Sequence, residues 1–279
     1  MDYHISPGAN RLSLLDFIVE LFCRVDDRMK EVEKDPRAKL YPSELVTLAL
    51  LHVLHGKKQR AFVRWIEKCA KPLFPNVPER SRLFRLFTRY QKWADRFLAE
   101  PTLVGFSDSI GVELIHPRRE GRSKEQIGKK GYSNHRWIVG IKFCPLLNGR
   151  GQIVDWDADP ANVHDSEFQR MIVDYTSKCG VMTDSGFHKS AKRGGDCSNL
   201  VLCERGSKNF RMVIESVFSG ICNTFGMKQI SNRTWPSVEA RFGFASALWN
   251  VLTTWATDNE KQDHPECLKA SLSIAWASI

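Results

Sequence analysis

The chain has 279 residues and a mass of 31.9 kDa, with 42% hydrophobic, 10% aromatic and 26% charged residues. This composition excludes a disordered or collagen-like polymer and supplies enough apolar mass for one or two domains. Forty-one Lys and Arg against 32 Asp and Glu give a formal charge of +9 and a pI near 9.2, which directs attention to polyanionic partners without establishing one.

The surplus has an address. Residues 57–96 hold twelve Lys or Arg against three acids, so this stretch accounts for the whole of the +9 and the other 239 residues balance. The N-terminal MDYHISPGANRLSLLDF lacks the basic-then-apolar order of a signal peptide. The most apolar run, Leu45 to Leu54, is about half of what a membrane span needs. A cytoplasmic protein with no membrane partner is the expectation. Eight cysteines, at 23, 69, 144, 179, 197, 203, 222 and 267, form no C-x-x-C pair. They read as buried or inert thiols of a reducing compartment rather than zinc ligands.

Residues 11–100 read as helical. Leu12, Leu15, Ile18, Val19 and Phe22 recur at helical spacing. Ser43 is placed to cap a helix running to about Leu54, with Pro42 blocking an earlier start. Residues 57–70 form a further amphipathic segment, closed by Pro72, Pro75 and Pro78. From 82 to 98 the apolar positions Leu83, Leu86/Phe87, Tyr90, Trp93/Ala94 and Phe97/Leu98 alternate with Arg82, Arg85, Arg89, Lys92 and Arg96. Both series step by three and four, predicting one helix with a packed face and a cationic face. Acids hardly interrupt that cationic stripe, which suits phosphate contact better than a mixed-sign solvated face.

At Pro101 the texture changes. Strands are expected at 102–108, 137–145, 152–156, 181–184 and 199–203. Helices are expected at 165–175, 210–226 and 237–256, and the stretch 116–135 reads as a basic linker between the first two strands. Strands followed by helices, behind a helical N-terminal region, predict a mixed α/β layer domain. The expected division is 1–100, 101–257 and a tail, 258–279. The basic linker carries Arg118, Arg119, Arg122, Lys124, Lys129, Lys130 and, just beyond it, Arg136, against Glu120 and Glu125. Gly128, Gly131, Tyr132 and Trp137 beside these cations allow close backbone approach and base stacking.

Three acids stand out. Asp108 and Asp184 each leave the end of a predicted strand, where a ligand can reach a sheet edge. Glu215 lies in a helix among Ile214, Val217 and Phe218, which implies a buried helix face; pairing with Arg211 or metal ligation would each account for it. Three carboxylates from separate elements would form a hard oxygen site of the kind Mg²⁺ or Mn²⁺ takes, suited to in-line phosphoryl transfer. Neither a Walker loop nor G-x-G-x-x-G is present.

In their order these pieces resemble a DDE transposase of a bacterial insertion sequence. The resemblance rests on SDSIGVEL around Asp108, GKKGYSNHRWIVGIKFCPLLNGRGQIVDW at 128–156, DPANVHD at 159–165, TDSGF around Asp184 and FRMVIESVFSGI around Glu215. SELVTLALLHVLHGKKQRAF and FPNVPERSRLFRLF add the N-terminal region, so the likeness covers about residues 15–255. It implies an RNase H-like mixed sheet flanked by helices, preceded by an all-helical, basic DNA-binding domain. It implies that Asp108, Asp184 and Glu215 are catalytic and hold two Mg²⁺ or Mn²⁺ ions for DNA strand cleavage and transfer. Arg211, four residues before Glu215, would contact DNA or orient that acid, and Asn162 and His164 would lie in a loop facing DNA. Arg118, Arg119, Arg122, Lys129 and Lys130, with Arg82, Arg85, Arg89 and Lys92, are the expected phosphate contacts. The partners would be double-stranded DNA, as element ends and target, and further copies of the chain. Two departures stand out: Ser185-Gly186-Phe187 follows Asp184 where relatives often carry a Lys, and Cys222 occupies the position of another Lys. A repurposed DNA-binding protein without chemistry and an RNase H-fold nuclease are the alternatives.

Overall fold

The computed structural model describes residues 12–133, 136–189, 194–203 and 208–261; the side chains of 208–211 and 259–261 lie outside the description. The chain divides into two compact units. One holds the residues up to Phe87 with those from Val251 onward, and the other is Thr88–Asn250.

Among the described residues of the first unit the elements are helices. Helix α1 (Leu14–Met29) starts where the Ser13 hydroxyl accepts the Asp16 N–H at 3.2 Å, and it buries Phe17, Ile18, Leu21, Val25 and Met29 on one stripe. Helix α2 (Pro42–His55) is apolar nearly all round and buried along most of its length. Pro42 does not block this helix but opens it, because a first-turn residue needs no N–H partner inside the helix. The Glu44 carboxylate reaches back to the Tyr41 N–H at 2.7 Å. Ser43, expected as the cap, is buried in the first turn, its carbonyl accepting the Thr47 hydroxyl at 2.8 Å. Gly56, with φ 66°, ends the helix in the left-handed region. Helix α3 (Gln59–Trp65) widens into a π turn at Ile66–Ala70, and α4 spans Arg80–Arg89. Trp255 stacks on Phe17 at 5.3 Å and carries the Arg24 guanidinium over its ring at 4.9 Å.

The single helix expected over 82–98 is two elements. Beyond α4 the backbone leaves the helical region at Tyr90 (φ −107°, ψ 23°), and Gln91–Phe97 wind as a 3₁₀ helix. The break falls beside the boundary between the units: Leu83 and Phe87 are buried before it, Ala94 and Phe97 after it. Arg82, Arg85 and Arg89 therefore keep a common stripe on α4, while Lys92 and Arg96 follow the tighter three-residue period.

The second unit is a mixed α/β layer. Its strands are β1 (Val104–Ser107), β2 (Ile110–Ile115), β3 (Lys129–Ser133), β4 (Arg136–Asn148), β5 (Ile153–Pro160), β6 (Gly180–Thr183) and β7 (Leu200–Leu202). The basic stretch at 116–135 is therefore not only a linker, since it includes β3. β1 pairs with β4 from Gly105↔Asn148 to Ser107↔Leu146, and β2 continues the same register from Ile110↔Phe143 to Glu113↔Gly140. The two are one strand with a step at Asp108 and Ser109. β3 and β5 take the opposite edge of β4, because β4 residues such as Gly140 and Ile141 are each paired twice. β6 runs parallel to β1, and β7 parallel to β6. The order across the sheet is thus β5-β4-β1-β6-β7.

Both faces are covered. On one, Phe168, Met171 and Ile172 pack against Cys144, Leu146, Val181 and Phe187. The helix expected at 165–175 is short here: a 3₁₀ turn at Asp165–Phe168, α5 at Gln169–Ile172 and a second 3₁₀ turn at Val173–Tyr175. On the other face, Phe143 and Trp156 meet Phe242 of α7 (Trp235–Lys261). Helix α6 (Lys208–Ser219), which continues as a π turn through Thr224, packs against β1. No helix among the described residues is long and apolar enough to cross a membrane. Burial raises the thiols of Cys144, Cys179 and Cys197 above their ordinary range and that of Cys222 to about 11.

Asn250 joins three backbone segments of this unit. Its amide donates to the carbonyls of Phe97 at 2.9 Å and Ile153 at 2.7 Å, and its oxygen accepts the Ile153 N–H at 2.7 Å, all buried. Replacing it leaves buried backbone groups without partners. Asn250→Ala is expected to lower unfolding free energy by about 2–3 kcal/mol in urea titration, with the far-ultraviolet spectrum unchanged.

Candidate active site

Asp108 and Asp184 follow the ends of two strands that pair in parallel. β1 and β6 pair as Val104↔Gly180, Gly105↔Val181 and Phe106↔Met182. β1 ends at Ser107 and β6 at Thr183, so Asp108 and Asp184 each follow the end of one of two paired parallel strands. β6 ends at Thr183 while the β1 strand continues as β2, so the two acids sit where one strand outruns its neighbour. Asp108 is half-buried and Asp184 exposed. The Asp108 carboxylate accepts the Ser109 N–H at 2.7 Å, and Asp184 caps the turn Ser185–Phe187 by accepting the Gly186 N–H at 2.9 Å. Beneath them the fully buried Ser107 hydroxyl donates to the Pro145 carbonyl at 3.0 Å, pinning β1 to β4.

Glu215 differs from its expected setting. The buried stripe of α6 is Ile214 and Val217, extended by Ile221 in the π turn, whereas Glu215 is exposed alongside Met212, Ser216 and Ser219. A helix turns by about 100° per residue, so the neighbours of a buried residue need not be buried. Among the described residues no three His, Cys, Asp or Glu side chains gather as a metal-holding group. Arg211 lies in the first turn of α6, where side chains are outside the description.

A fourth acid, which the sequence reading passed over, lies beside the aspartates. Asp165 ends DPANVHD, a motif noted for Asn162 and His164 instead. Its Oδ1 accepts the Ser109 hydroxyl at 2.5 Å and the Lys142 ammonium at 2.9 Å. A Cβ placed on Gly186 would lie 3.1 Å from Asp184 Oδ1 and 3.6 Å from Asp165 Oδ2, so the two carboxylates approach one backbone point. Lys142 is a base that the sequence reading also missed; its side chain is 12% exposed. The signal was available in the alternation of β4, which places Lys142 on the same face as Cys144 and Leu146. His164 is exposed and caps the turn at 165–168, its Nδ1 accepting the Ser166 N–H at 3.2 Å. Asn162 is exposed.

Around this point the sheet is acidic. Asp155, Asp157 and Asp159 alternate along one face of β5. Arg170 answers two of them, reaching Asp157 at 2.6 and 2.8 Å and Asp159 at 2.9 Å. Burial pushes the Asp155 carboxyl above its ordinary value, with Asp157 and Asp174 adding repulsion, although the Trp156 N–H and the Tyr175 hydroxyl donate to it. Asp95 is raised for the same first reason, with Asp155 adding repulsion.

The expected phosphate contacts are on the surface. Arg82, Arg85, Arg89, Lys92, Arg118, Arg119, Arg122, Lys129 and Lys130 are all exposed. Lys92 lines a surface cavity of about 260 Å³ with Trp156, Trp235, Asp157 and Glu239, which includes none of the three predicted acids. Arg136 is engaged by the buried Glu113 at 2.9 Å.

Comparison with protein-family models, curated proteins and solved structures finds no match for this chain.

The Asp155 shift fixes a pH dependence. A carboxyl raised in the folded state holds its proton above the unfolded value, so the folded form binds more protons in that window and stability falls as pH rises through it. Asp155→Asn keeps an acceptor oxygen and removes the charge. Its unfolding free energy is expected to fall less than that of the parent between about pH 4 and 7, measured by urea titration across that range.

Proposed function

We propose that this chain is a transposase of the DDE type with an RNase H-like core, acting on DNA phosphodiesters by in-line phosphoryl transfer. The observation that carries the reading is the parallel β1–β6 pairing, after which Asp108 and Asp184 follow the ends of neighbouring strands. The strand order supports it. With β2 taken as the extension of β1 and β3 as a hairpin strand, the core runs β1, β4, β5, β6, β7, with the first three antiparallel and the last two parallel to β1. Asp108 then follows the first strand, Asp184 the fourth, and Glu215 sits on a helix packed against the first.

The donor set fits a divalent ion in kind. Mg²⁺ takes oxygen ligands, keeps several waters and needs only one or two carboxylates besides the substrate phosphate. Asp108 and Asp184 are the residues that would hold it, with Glu215 as the third candidate. When bound, such an ion supplies charge neutralisation at the phosphate and acidifies an attacking water or hydroxyl. The chain's own contribution is placement. Ser109 fixes the Asp108 carboxylate through its N–H and Asp165 through its hydroxyl, so one residue couples both acids. Lys142 balances Asp165 and lessens the like-charge repulsion beside Asp184. The exposed cations of 57–96 and 118–130 supply salt-sensitive, sequence-independent hold on the DNA backbone.

One observation favours a second reading, a DNA-binding protein without chemistry: among the described residues no three His, Cys, Asp or Glu side chains form a metal-holding group. Nicking of supercoiled plasmid in Mn²⁺ separates the two. The parent is expected to produce nicked circles, and Asp108→Asn or Asp184→Asn to reduce the rate by more than about 100-fold, beyond the loss typical of an outer-shell partner, with DNA affinity retained. Salt-sensitive binding by the parent without nicking would transfer the case to the second reading.

A further inference from the structure

We infer that the β3–β4 hairpin is a stacking platform for an unpaired nucleotide base. The inference rests on nucleic acid being the partner, as proposed above, and adds the form of DNA the surface takes. Tyr132 and Trp137 are direct cross-strand partners, with ring centroids 5.5 Å apart at 72°. Each is 58% exposed, in a protein whose other large aromatic residues are mostly packed. In an edge-to-face pair, the ring that gives its edge keeps both faces open. Lys130, two residues before Tyr132 and hence on the same strand face, holds its ammonium 5.4 Å from the Trp137 ring centre.

The reverse face of the hairpin is fixed. Ser133 Oγ accepts the Gly111 N–H at 3.1 Å, and Arg136 is held by buried Glu113. Gly131 lies so close to the Ala161 carbonyl that a Cβ would run into it. The aromatic pair is thus displayed on a rigid scaffold, and binding there costs little conformational entropy.

Charge selects the occupant. Arg118, Arg119, Arg122, Lys129 and Lys130 are exposed, and among the described residues none of them forms an ion pair, so a polyanion fits this surface better than an apolar protein segment. Stacking then selects the form of nucleic acid. In an intact duplex the base faces are covered by their neighbours, whereas an overhang or an extruded nucleotide offers a free face. Ser107 pairs with Leu146 and Ile110 with Phe143, so Asp108 lies by Pro145, eight residues from Trp137 along β4 and about 26 Å at the strand rise; the stacked base would be several nucleotides from the bond that the acids address.

The test compares a blunt duplex with the same duplex carrying a short single-stranded overhang that contains 2-aminopurine. Anisotropy is expected to show that the full chain binds the overhang substrate more tightly and quenches the probe. Trp137→Ala and Tyr132→Ala should each weaken overhang binding by about 10- to 100-fold, leave the blunt duplex nearly unchanged and abolish quenching, while Trp137→Phe keeps most of both. Equal losses on the two substrates, or no overhang preference in the parent, overturn the stacking platform while leaving the proposed function in place. A parent that binds neither substrate overturns both.

Discussion

From Gly105 to Glu113 every pairing with β4 keeps one register, although the backbone steps out of the ladder at Asp108 and Ser109. This pairing is the constraint on which the second unit depends. Because side chains alternate, a slip of one residue would exchange the two faces of the sheet and put Ser107 and Ser109 where Phe106, Asp108 and Ile110 now lie. Ser107 enforces it from below through Pro145, and Asn250 enforces it from the far end by holding Ile153. The parallel pairing with β6 then sets the ends of two strands side by side, and Asp108 and Asp184 follow those ends. The alternation also divides the sheet: Lys142 and the aspartates of β5 fall on one face, and Phe143 and Trp156 on the other.

Charge is arranged on two scales. Close to the site, acids outnumber bases, and individual cations are assigned to individual carboxylates: Lys142 to Asp165, Arg170 to Asp157 and Asp159, Arg136 to Glu113. Farther along the chain, the exposed bases of 57–96 and 118–130 have few acidic neighbours in sequence. The first arrangement fixes geometry, because partly buried ion pairs define position more than they add stability. The second sets a field that a polyanion would feel at a distance. The near-neutral balance of the chain outside 57–96 therefore conceals both a cluster of acids on β5 and a basic stretch at 118–130.

Much of this could be read in the sequence. Short apolar runs ending in Asp announced β1 and β6, and helical spacing located α1, α2 and α7. What escaped was of three kinds. Periodicity cannot see where a helix changes core, so the break at Tyr90 was invisible in an unbroken series of apolar and basic positions. Polar residues hid a strand: Lys129 and Lys130 made β3 look like part of the linker expected at 116–135. Non-local neighbours were the third. Asp165 and Lys142 meet only because the loop after β5 returns to the end of β6, and no spacing rule contains that contact. The exposure of Glu215 shows the converse error, since apolar neighbours along a helix do not bury a residue that lies off their stripe.

The central claim is that the β1–β6 register makes Asp108 and Asp184 a single oxygen-donor site. Anomalous diffraction from crystals of the full chain soaked in Mn²⁺ tests it most directly. The account predicts a manganese peak bonded to carboxylate oxygens of both Asp108 and Asp184. Manganese bound elsewhere on the chain, with these two carboxylates turned away from each other, would contradict it.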